Sequence, residues 1–104
     1  LSKLTCIRTP KELPSGSRSS YYMYHIQLQN ERQRNDLAKH LREHGIYTTF
    51  RYYPLHKVKF YNDKSNLPNT DYVAAHTLCL PIHQSLTDED ITHVITTIKD
   101  FANE

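Results

Sequence analysis

A chain of 104 residues carrying a formal net charge of +2 is sized for one domain with one modest hydrophobic core. Its thirteen Lys and Arg and eleven Asp and Glu are interspersed, which leaves no strong electrostatic footprint for nucleic acid or an anionic membrane. Two glycines cannot build a phosphate-cradling loop, two distant cysteines cannot build a zinc ribbon or a disulfide framework, and no apolar run is long enough for a membrane span or a signal peptide.

Taken in chain order, residues 1–20 are polar and broken by Pro10, Pro14 and Gly16. They predict a short strand near 4–8 and then an extended connection. Tyr22, Tyr24, Ile26 and Leu28 alternate with Tyr21, Met23, His25 and Gln27, a period of two that predicts a strand with one face on a core. Asn30 caps a helix whose apolar stripe is Leu37, Ala38 and Leu41. Gly45 stops that helix, with Ile46 placed to touch Leu41. Residues 46–52 are β-branched and aromatic and predict a strand, ended by Pro54. A polar loop spans 57–69. A short helix follows over about 70–77, with Asp71 near its positive end, and then a brief buried strand at 78–80, stopped by Pro81. The last helix begins at a Thr87 cap with Asp88, Glu89 and Asp90 in its first turn, and repeats Ile91, Val94, Ile95, Ile98 and Phe101 at helical spacing. The sum is an α+β fold: a two-layer sandwich with a small, mainly antiparallel sheet and helices on one face.

Few of the chemical signals survive their plainer explanations. His40 to His44 spells H-x-x-E-H, the pattern of one class of zinc peptidase. Gly45 ends the helix at once, the two histidines flank a stripe already assigned to the core, and no third ligand is evident, so a solvated helix end explains them. The basic and aromatic run from Arg51 to Tyr61 has the residue types that stack single-stranded bases, but the glycine-spaced consensus of small RNA-binding sheets is absent. Capping accounts for Asp88, Glu89 and Asp90. His25, His76, His83 and His93 stand singly. The segment from Phe50 to His56 is different. Phe50 and one or two tyrosines fit a core, whereas Arg51 and His56 do not. An arginine at a strand end grips carboxylate or phosphate with two hydrogen bonds, and a histidine just past a proline turn is held stiffly. Such a segment suits an anionic, hydroxylated ligand.

Three ordered motifs carry a resemblance over residues 19–101. They are SSYYMYHIQL (19–28), LREHGIYTTFRYYPLH (41–56) and LCLPIHQSLTDEDI (78–91). Together they resemble the C-terminal small domain of the DegT/DnrJ/StrS nucleotide-sugar aminotransferases, which are fold-type I pyridoxal-phosphate enzymes. The resemblance implies that residues 1–20 are an extended connection from a large domain and that residues 21–104 are the small domain. It implies a parent enzyme, a cytoplasmic homodimer, that moves an amino group from glutamate to a keto-deoxy-sugar nucleotide. The form of the second motif is most similar to members acting on dTDP-4-keto-6-deoxyhexoses. It implies that the Schiff-base lysine and the pyridoxal phosphate contacts lie in the large domain, so that no catalytic, cofactor-binding or metal residue is assigned here and the chain by itself is expected to be inactive. Residue 1 is Leu rather than Met, in keeping with that expectation of a fragment. Arg51, Tyr52 and His56 take the family's substrate-side turn. Its first position is commonly histidine in the family and is Arg51 here, a fixed cation suited to carboxylate or phosphate. No nucleic acid or membrane is expected as a partner. The competing expectation is a free-standing binding module for single-stranded nucleic acid or a protein partner.

Overall fold

Strand β1 (Tyr24–Gln27) and strand β2 (Thr77–Leu80) pair antiparallel in the computed structural model, which describes residues 1 and 4–103. Residues 2, 3 and 104 of the two expected segments lie outside the described residues. The register sets Ile26 opposite Leu78 and His25 opposite Cys79. Because side chains alternate across a strand, Ile26, Leu78 and Leu80 share the face that joins the core. All four residues of β2 are buried, so this strand is covered on both sides.

Helix α1 (Glu31–Glu43) delivers Leu37 and Leu41 to that face, and helix α3 (Asp88–Ala102) delivers Ile98. Ile26, Leu37, Leu41, Leu78 and Ile98 are fully buried. Each such side chain contributes about 1.5–3 kcal/mol by leaving water. The fold is therefore α+β, with helices laid on a small antiparallel sheet.

The ends of α1 and α3 follow from single residues. The Asn30 side chain accepts from the Gln33 amide at 2.8 Å. At the other end, Gly45 has φ of +78°, a left-handed conformation that side chains with a Cβ resist. That turn lets the Ile46 amide donate to the Leu41 carbonyl at 2.9 Å and the Gly45 amide to Arg42 at 3.0 Å, the two bonds of a Schellman stop. At α3, Thr87 and Asp90 satisfy each other's amides in a full capping box.

Helix α2 (Pro68–His76) runs directly into β2. It begins two residues before the expected start, because proline is well suited to the first helical turn. The loop before it contains two single-turn 3-10 segments, Leu55–Lys57 and Lys59–Tyr61.

Three expectations are corrected. The strand near 4–8 is reduced to one bridge, Arg8 with Gln27, and the strand over 46–52 to another, Thr49 with Cys79. Residues 5 and 6 lie in a turn, with the Ile7 amide donating to the Leu4 carbonyl at 3.3 Å, and each segment meets the sheet at one residue only, so no ladder propagates. Phe50 is not core: it is 55% exposed, and one face of its ring is taken by the Arg34 guanidinium at 4.4 Å.

Candidate functional site

The Thr49–Cys79 bridge fixes where the chain leaves the sheet, and the residues after it form the candidate site. Arg51, Tyr52 and Tyr53 are exposed, Pro54 is buried, and the chain then turns through Leu55–Lys57. The Arg51–Tyr52 peptide is cis. Proline at 54 anchors the turn by fixing its own φ and by burial.

Arg51 and Tyr52 come together with a third residue, Tyr22. The phenol oxygens of Tyr22 and Tyr52 are hydrogen-bonded, and Arg51 Nη1 donates to Tyr22 Oη at 3.3 Å. The Arg51 guanidinium carbon lies 5.8 Å from the Tyr52 ring centre, near the outer limit of a cation–π contact. The hydrogen bond from Tyr22, and then that from Arg51, holds the Tyr52 phenol below its ordinary pKa. The same contacts, with Tyr52 first, raise that of Arg51. Arg51 thus stays a cation, and the pair of phenols beside it offers hydroxyls. A concave surface of about 270 Å³ opens here, lined by Tyr22, Met23, Thr49, Arg51, Cys79 and His83 among others. Burial pushes the Cys79 thiol up in pKa, so it serves as an apolar wall rather than a nucleophile. A cation, phenolic hydroxyls and an apolar floor make a surface able to hold an anionic, hydroxylated molecule.

His56 is placed differently. Its side chain is 6% exposed and its Nε2 is 3.0 Å from Asp71 Oδ1 on α2. This is an ion-pair distance without the alignment of a hydrogen bond, since Asp71 Oδ1 and His56 Nδ1 have no hydrogen-bond partner. Lys57 Nζ approaches the same oxygen at 3.2 Å. Of the three residues expected at the site, the structure joins Arg51 and Tyr52 and turns His56 inward to α2. Tyr22 was missed by sequence reasoning. It counts as a strand residue by its period, and nothing local marks a partner thirty positions away.

The remaining histidines form no ligand set. His44 Nδ1 is bonded to the His40 carbonyl at 2.8 Å, and His93 Nε2 to the His44 carbonyl at 3.0 Å. Among the described residues no group of three His, Cys, Asp or Glu side chains converges on a metal position. No helix among them is long and apolar enough to cross a membrane.

Comparison with known proteins shows the family. The sequence model of the DegT/DnrJ/EryC1/StrS aminotransferase family matches residues 1–99. The chain is 42% identical over 94 residues to dTDP-4-dehydro-2,3,6-trideoxy-D-glucose 4-aminotransferase from Saccharopolyspora spinosa, covering 90% of this chain and 24% of that protein. Among solved structures, an aminotransferase from Streptoalloteichus hindustanus superposes with a TM-score of 0.94 at 41% identity, covering 99% of this chain and 28% of that one. A Streptococcus pneumoniae protein assigned as a sugar aminotransferase, solved in its PLP form, shares the fold with a TM-score of 0.83 at 24% identity, over 94% of this chain and 26% of that one. The chain thus spans about a quarter of the length of the relatives it matches. On the match over residues 1–99, the chain belongs to the DegT/DnrJ/EryC1/StrS aminotransferase family.

Proposed function

We propose that this chain is the small domain of a pyridoxal-phosphate-dependent sugar aminotransferase, and that its Arg51–Tyr52 turn binds the anionic part of a substrate. The reaction would move an amino group from glutamate to a keto-deoxy-sugar nucleotide, of the dTDP-4-keto-6-deoxyhexose kind. One observation carries the reading: the match to the Saccharopolyspora spinosa enzyme, 42% identical, extends across 90% of this chain and so spans the segment bearing Arg51. Both substrates bring anions, a dicarboxylate or a diphosphate, and a guanidinium answers either with two parallel hydrogen bonds.

The residues of this chain do not fit the cofactor. Every described lysine is exposed, and Lys57 is engaged with Asp71. The cofactor supplies the carrier for the amino group, and its cradle belongs to other parts of the enzyme. What this chain contributes is binding and orientation. Arg51 holds charge, Tyr52 and Tyr22 present hydroxyls beside it, and His56 stiffens the turn from within. The homodimer and the cytoplasmic setting expected for such an enzyme are part of the same proposal.

The test is a transamination assay of the full-length enzyme with a panel of keto-sugar nucleotides, comparing wild type with Arg51→Ala. Loss of charge-assisted hydrogen bonds should raise the KM for glutamate or for the sugar nucleotide about tenfold to a hundredfold. Unchanged kinetics for both would remove Arg51 from the site, and no activity on any keto-sugar nucleotide would overturn the substrate class.

A further inference from the structure

Helix α2 is held in place by something other than an apolar face. It is nine residues long, buries none of them, and has no side-chain cap. A helix that short is marginal on its own. Its attachments are polar and lie at both ends. Near its C-terminus, Arg34 of α1 donates through Nη1 to the Ala74 carbonyl at 2.6 Å, one of the final carbonyls that a helix leaves without an internal partner. Arg34 is only 7% exposed. Asn35 Oδ1 fixes the plane of its guanidinium at 3.0 and 2.9 Å, and the group also covers the Phe50 ring. In the first turn of α2, Asp71 meets His56 and Lys57. Besides the Leu28 amide, which donates to the His76 carbonyl at 2.9 Å, these two attachments of α2 reach the two ends of one segment, residue 50 on one side and residues 56 and 57 on the other. Arg51 and Tyr52 lie between them.

We infer that Arg34 and Asp71 are positioning residues, which hold both ends of the 50–57 turn through helix α2 so that Arg51 and Tyr52 meet the substrate's anionic group in one arrangement. The inference rests on the reading of that turn as substrate-binding. Its physical basis is preorganisation. Arg51 is exposed, with a long side chain whose ordering opposes binding. A turn already fixed at both ends leaves less to be ordered when substrate arrives. Asp71 can do this because it faces the His56 imidazole and the Lys57 ammonium from a helix, and Arg34 because its planar fork reaches the carbonyl and the aromatic ring at once.

The experiment uses the full-length enzyme and the variants Asp71→Asn and Arg34→Lys, each alone and combined with Arg51→Ala. Asparagine keeps the size of Asp71 and removes its charge. Lysine keeps the charge of Arg34 and loses the fork. Hydrogen–deuterium exchange by mass spectrometry reads the amides between 51 and 57, and steady-state kinetics reads the KM that Arg51→Ala affects. Each single variant should speed exchange of the turn and raise that KM about threefold to fivefold, the scale of a partly exposed ion pair. Combined with Arg51→Ala, neither should raise it further, because residues acting through one group are not additive. Unchanged exchange would overturn the inference, and so would a KM effect that persists in full without Arg51. If Arg51→Ala itself is silent, the reading of the turn falls and this inference with it. If Arg51→Ala raises KM while Asp71→Asn is silent, this inference alone falls. Should Arg34→Lys fail to fold, Asp71→Asn decides.

Discussion

Helices α3 and α2 are made in opposite ways. Helix α3 runs fifteen residues from a complete capping box, and buries Ile98. Its start, its length and its apolar stripe are written in its own residues, although of that stripe Ile98 alone is buried and Ile91 is 45% exposed. Helix α2 is nine residues, uncapped, with nothing buried. It is held by Arg34 from one neighbour, by His56 and Lys57 from another, and by the Leu28 amide on its His76 carbonyl. The first helix is a piece of core. The second is a connector between the core and the turn that carries Arg51. On the proposed reading of the turn, the fold keeps its stability in one place and its binding geometry in another, which leaves the turn free to change without unfolding the rest.

Truncation should separate the two most sharply. Ile98→Ala removes a fully buried side chain and should cost about 2–5 kcal/mol. Val73→Ala on α2, where the side chain is 45% exposed, should stay within about 0.5 kcal/mol. Urea unfolding of the two variants measures both. Equal losses would mean that α2 carries core packing after all, and would erase the distinction drawn here.

A smaller effect is expected at the stop of α1. Gly45 has φ of +78° and nothing within 4 Å of where a Cβ would stand. Gly45→Ala therefore meets no clash and reports backbone strain alone, about 1–2 kcal/mol. Gly45→Asn should lose less, since asparagine tolerates the left-handed region. If alanine and asparagine unfold at the wild-type urea concentration, the Schellman turn is not what ends the helix.

What could be read from the sequence follows the same division. The Asn30 cap, the Gly45 stop, the Thr87 box and the stripe through Leu37 and Leu41 are local patterns, and the structure has each of them. The segments around Arg8 and Thr49 read as strands and pair at one residue each, because pairing depends on a partner strand far along the sequence. Phe50 was misread because an aromatic in a β-rich run favours core, while the residue that covers its ring, Arg34, sits on helix α1. The site was legible in part. The Arg51 turn stands out by its residue types. Tyr22 and Asp71 do not, since each has a sufficient local reading, Tyr22 as strand by its period, although β1 starts only at Tyr24, and Asp71 in a helix's first turn. Their second role appears only when the chain is folded.

The smallest expected effect sharpens the account of α3. The Thr87 amide, and then the Thr87 side chain, hold the Asp90 carboxyl below the usual carboxylate range. Between that lowered value and the ordinary one near about 3.9, the unfolded chain binds more proton at this position than the folded one. Stability from the box is therefore present above the ordinary carboxylate pKa and is lost as pH falls through the folded value. Asp90 is exposed, so solvent screens the contribution and it is modest. Asp90→Asn should flatten this part of the acid limb when the urea midpoint is followed from pH 6 downward, on the order of the ordinary carboxylate titration range. Asp71→Asn serves as the comparison, since it removes a carboxylate from the connector helix and leaves the box intact. An acid limb that Asp90→Asn leaves unaltered would show that the start of α3 is set by its buried stripe and not by its cap.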